Sequence, residues 1–164
     1  LNKLDTGYQH TGFSYFESEG DKTGFTTTDL AEDQLWTQIR LNPKELPLGE
    51  IELFPSSFYL RLKHRPLESQ IALATLERIE SSDYSTQSHL NYILKYKERT
   101  LSIFFEENLP HRILGWEETH MSGFGNPELL TTKATLKNTI RSKYWGKNSN
   151  SDRAIREELG LSTE

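Results

Sequence analysis

From residue 57 to residue 141 the chain passes through one apolar–polar alternation after another, joined by short polar turns rather than by helices. That succession limits the fold more than any other feature. Parallel strands need long crossover connections, usually helical, and this stretch has no room for them. Consecutive strands must therefore pair antiparallel, and the class expected is α+β, mostly β. The expected architecture is a single curved antiparallel sheet, a half-barrel or open barrel, with one early helix and one short C-terminal helix.

The alternation is cleanest in TTKATLKNTIRSKYW (131–145). There Thr132, Ala134, Leu136, Asn138 and Ile140 oppose Lys133, Thr135, Lys137, Thr139 and Arg141, as in a half-exposed strand. SFYLRLKH (57–64), QIALATLERIE (70–80), LNYILKYKERTLSIFFEE (90–107) and HRILGWEETH (111–120) read as further strands, with residues 97–99 as a tight connection. An opening strand is expected within 7–20 and a short one at 51–54, while 81–89 and 121–130 read as loops. The chain contains no valine, so Ile, Tyr, Phe and Thr must supply the β-forming side chains.

Two helices complete the expectation. In TTTDLAEDQLWTQIRLNP, Asp29 stands at an N-cap with Glu32 three residues on, a capping box. Ala31, Leu35 and Ile39 then recur at helical spacing, and Asn42-Pro43 stops the run. SDRAIREELGL (151–161) reads as a short helix ending at Gly160. A chain of 164 residues without repeat or linker is expected to form a single β-rich domain over 1–164.

Composition removes several functions. The net charge is −5, so a phosphate backbone is a poor partner and nucleic acid is not expected. Without cysteine there is no thiolate zinc site, thiol nucleophile or disulfide. No apolar run is long enough to span a bilayer. The metalloprotease helix motif, the nucleophile elbow and the phosphate loop are all absent.

The segment RTLSIFFEENLPHRILGWEETH (99–120) concentrates glutamates, histidines and a tryptophan. If 112–120 is extended, Glu117 and Glu118 point to opposite faces and cannot act as a carboxylate pair. What remains is Glu118 with His120 on one face beside Trp116, a weak candidate for hydrolytic or metal-assisted chemistry. A metal would need a third ligand, and none stands in a recognisable pattern with these two. No metal or cofactor is expected. His10, His64, His89 and His111 read as isolated surface residues. The aromatics Trp36, Trp116, Trp145, Tyr8, Tyr15, Tyr59, Tyr92, Tyr96 and Tyr144 either fill the core of a valine-free domain or line a pocket. Trp116, Tyr144 and Trp145 are the candidate binding residues.

The blocks SYFESEG (14–20), EDQLWTQIRLNP (32–43), SFYLRLKH (57–64), RTLSIFFEENLPHRILGWEET (99–119) and SKYWGKNSNSDRAIREELGL (142–161) together resemble a family of bacterial envelope proteins whose members often carry the label "septum formation inhibitor Maf". The motif and helix–strand alternation of the nucleotide pyrophosphatases that share that label do not occur in this chain. The resemblance implies a periplasmic or outer-membrane-associated lipoprotein, of which this chain is the C-terminal part. It carries no catalytic residues. The function expected is a non-enzymatic envelope module that binds a hydrophobic, lipid-like small molecule or an envelope protein. The alternatives are a hydrolase using Glu118 and His120, and a structural half that completes a preceding region.

Overall fold

The computed structural model describes residues 1–13, 15, 20–123 and 125–161. Two antiparallel sheets form among them, not one. The first contains β1 (Asn2–Leu4), β2 (Gly7–Gly12) and β3 (Lys22–Thr26) in that spatial order. The second is a six-stranded meander of β4 (Gly49–Leu53), β5 (Gln70–Ile79), β6 (His89–Lys95), β7 (Arg99–Phe105), β8 (Ile113–Ser122) and β9 (Glu128–Thr135). Its strands lie side by side in chain order, with β4 and β9 at the two edges, so the barrel does not close.

Helix α1 (Glu32–Leu41) packs on the inner face of the meander. Its Leu35 and Ile39 join Leu53, Ala72, Ala74, Tyr92, Leu94, Leu101, Ile103 and Phe105 in one apolar core. The small Ala72 and Ala74 on β5 leave space for the helix, and the Tyr92 hydroxyl donates to the Pro47 carbonyl at 2.8 Å, tying down the chain beyond it. A second core of Tyr8, Ala31, Phe54, Tyr59 and Leu60 joins the small sheet to helix α2 (Ser57–Leu62).

Several expectations need correction. The segment 57–64 is α2 rather than a strand: adjacent Tyr59 and Leu60 are buried while Phe58 and Leu62 are exposed. Four of its six helical residues are large and apolar, so the short run carries no usable period. The first sheet separates from the second because the chain leaves β3 and turns directly into α1. The N-cap of α1 is Ala31, not Asp29; Asp29 pairs with Lys3 at 2.8 Å. Strand β9 starts at Glu128, inside the expected loop, and ends at Thr135. Beyond it the chain is irregular, then forms 3-10 turns at Tyr144–Gly146 and Asn150–Arg153 and the short helix α3 (Ala154–Glu158). Of the expected strand over 7–20, residues 14 and 16–19 lie outside the described residues. His10 and His89 are buried, not on the surface.

Candidate functional site

The chemistry of the inner face gathers around Arg99, the first residue of β7. A two-residue turn at Lys97-Glu98 closes the β6–β7 hairpin, and the Tyr96 N–H donates to the Arg99 carbonyl at 2.8 Å. Alternation along β7 then sends the Arg99 side chain to the same face as Leu101, Ile103 and Phe105. The residue is 5% exposed.

Glu32 meets it from the opposite layer. The Glu32 N–H donates to the Phe54 carbonyl and the Phe54 N–H to the Leu30 carbonyl, both at 2.8 Å. These bonds pin the start of α1 to the end of β4. They aim the Glu32 carboxylate into the core, where the residue is 1% exposed. The Arg99 guanidinium donates to both its oxygens, from Nη1 at 2.6 Å and from Nη2 at 2.8 Å. Such a planar fork matches a carboxylate in strength and direction.

Two further groups complete the network. Arg99 Nε donates to Glu118 Oε1 on β8 at 2.6 Å, and the Tyr96 hydroxyl donates to Glu32 Oε2 at 2.5 Å. The guanidinium carbon lies 4.3 Å from the Tyr59 ring centre and 5.4 Å from that of Tyr96. Burial opposes the charge on Arg99, but the bonds to Glu32 and the fields of Glu32 and Glu118 outweigh it and raise its pKa. Burial, reinforced by the Glu32 carboxylate, raises the Tyr96 pKa strongly, so this hydroxyl stays a donor. Burial also raises that of Tyr59, against the lowering effect of Arg99.

Above this network opens a cleft of about 270 Å³ between α1, α2 and strands β7 and β8. Trp36 and Trp116 form one wall, edge to face at 87° with ring centres 6.5 Å apart. Phe58, Tyr59, Ser56 and Leu101 complete it, with Glu32, Arg99 and Glu118 at the floor. A wider cleft of about 550 Å³ reaches Arg99 from beyond Tyr59, between Arg65, Gln70, Tyr96 and Glu98.

The structure treats the sequence candidates differently. Trp116, Glu118 and His120 are at alternate positions of β8, with Trp116 and Glu118 lining the cleft. His120 instead packs on the Tyr59 ring at 5.7 Å, and its Nδ1 lies 3.1 Å from the Met121 carbonyl. Glu118 and His120 do not hydrogen bond to each other. Glu117 is on the outer face, held by Lys133 at 2.8 Å and by the Tyr84 hydroxyl at 2.9 Å. Tyr144 and Trp145 pack edge to face at 5.4 Å on the C-terminal segment, 76% and 68% exposed, and do not line this cleft. Among the described residues no group of three or more His, Asp or Glu is placed to hold a metal ion.

Sequence reasoning missed Arg99 and the inward role of Glu32. The local pattern places Arg99 in the tight connection and Glu32 in a capping box. One signal was available: an arginine just inside a strand whose later alternate positions are all apolar must point to the same face as they do. Comparison with family models, curated proteins and solved structures finds no match to this chain.

Proposed function

We infer that the protein is a non-catalytic binding module that takes a small molecule with an apolar body into the Trp36–Trp116 cleft. The observation that carries this reading is the cleft itself: aromatic side chains from two helices and a strand enclose a space above charged side chains joined through Arg99. Concave, mostly apolar sites with a few fixed polar groups are the usual form of small-molecule sites. Binding is favoured over hydrolysis because both floor carboxylates are already tied to the Arg99 guanidinium by hydrogen bonds. His120 makes no bond to either. A place in the bacterial envelope accompanies this proposal on the strength of the five sequence blocks alone; no helix among the described residues is long and apolar enough to cross a membrane.

Titration with the uncharged probe N-phenyl-1-naphthylamine tests the reading. Its fluorescence should rise on binding and quench tryptophan emission. Phe58→Ser should weaken binding by about tenfold, because Phe58 lines the cleft yet is 73% exposed, so its loss spares the core. No fluorescence change on mixing, or full binding in Phe58→Ser, contradicts the assignment.

A further inference from the structure

We propose that the cleft selects an organic cation, an alkylammonium or quaternary ammonium head group carried on an apolar chain. This deepens the binding-module reading and rests on it. The first reason is charge balance. Two carboxylates converge on one guanidinium, and no other cationic side chain lines the cleft. Glu32 has both oxygens on Arg99. Glu118 gives only Oε1 to Arg99, and among the described residues no protein group bonds its second oxygen. Its side chain is partly open to solvent, whereas that of Arg99 is almost fully enclosed. The floor therefore carries one surplus negative charge on its accessible side.

The second reason is the wall. Trp36, Trp116 and Phe58 supply π-faces and edges around the same space, and ring faces attract cations that have shed their water. An anion meets the reverse situation. The Nε, Nη1 and Nη2 nitrogens of Arg99 are all engaged and Tyr59 covers the guanidinium face, so a ligand carboxylate would arrive as a third acid. The volume of about 270 Å³ accommodates a trimethylammonium group with its first chain carbons.

Isothermal titration with choline and with 3,3-dimethylbutan-1-ol, its uncharged carbon isostere, tests this directly in the unaltered protein. Choline should bind about tenfold more tightly, and 3,3-dimethylbutyrate should bind more weakly than either. Glu118→Gln, which keeps an acceptor for Arg99 Nε, should abolish the preference for choline, and its melting curve checks that the variant folds. Equal binding of the two isosteres, tighter binding of the carboxylate, or a preference that survives Glu118→Gln overturns the proposal. Persistence of naphthylamine binding in those cases would leave the apolar site standing. Sedimentation with phosphatidylcholine vesicles assigns the source. Capture supports a lipid head group as the cation, and no capture with choline binding intact supports a free amine.

Discussion

Arg99 exchanges its water for two carboxylates and two phenol rings, and that exchange is stable only while every partner is present. Removing one member of a buried ion pair leaves its partner charged in a poor solvent, at a cost of about 3–5 kcal/mol. Arg99→Met is therefore expected to lower the unfolding free energy by that amount in urea denaturation, and adding Glu32→Gln should restore part of it. A loss below about 1 kcal/mol would show that the network contributes little. His10 gives a second prediction at this scale. It is buried against Phe54, with ring centres 5.6 Å apart, and its Nδ1 has no hydrogen-bond partner among the described residues. Burial lowers its pKa below the usual 6.5. The folded protein then resists a proton that the unfolded chain accepts, so His10 stabilises the fold fully above 6.5 and progressively less as pH falls below it. Melting temperatures of the wild type should drop on acidification through that range more than those of His10→Phe. Parallel curves would contradict the assignment.

At the scale of elements, the β5–β6 connection covers part of the outer face of the meander. Tyr84, from the β5–β6 connection, stacks on Phe104 with ring centres 4.1 Å apart and reaches Glu117 with its hydroxyl. Gly115 allows this approach. A Cβ there would lie 2.3 Å from the Tyr84 ring and 2.4 Å from the Ala134 carbonyl oxygen, and the latter, as backbone, cannot swing away. Gly115→Ala should therefore cost about 1–3 kcal/mol, measured by urea denaturation, while Tyr84→Ala should relieve only the contact with the ring. A neutral Gly115→Ala would show that β8 and β9 are more loosely paired than described. The opposite, inner face shows what could be read from the chain. The alternation of β5, β6 and β7 was legible because each strand is long and has one buried face, so Tyr92, Leu94, Leu101 and Ile103 announce their side. Helix α2 was not legible because six residues hold less than two turns and most of them are apolar. The site was half legible: Trp116 and Glu118 share a face by local spacing alone. Their partners Glu32 and Trp36 arrive from α1, and no local pattern encodes that long-range docking.

Across the whole molecule, the two cores and the cleft lie between β1 and β9, and the chain after them contributes little burial. From residue 141 to residue 161 every residue is exposed or only partly buried. Asn138 holds the end of that segment through its side-chain amide, which donates to the Leu159 carbonyl at 2.9 Å. Removing residues 144–161 is therefore expected to leave the melting temperature within about 2 °C of the full chain. A larger fall would mean that the segment supports the sheet. The same geography separates the two groups of aromatic binding candidates, because Trp36 and Trp116 face the cleft whereas Trp145 lies on the exposed segment. The chain's three tryptophans thus give three separate reporters. The direct measurement is a nitrogen–proton NMR titration with N-phenyl-1-naphthylamine, following the three indole N–H signals and that of Arg99 Nε–H. The indole signals of Trp36 and Trp116 and the Arg99 signal should shift together and saturably while Trp145 stays in place; movement of Trp145 alone, with the other three unmoved, would contradict the account.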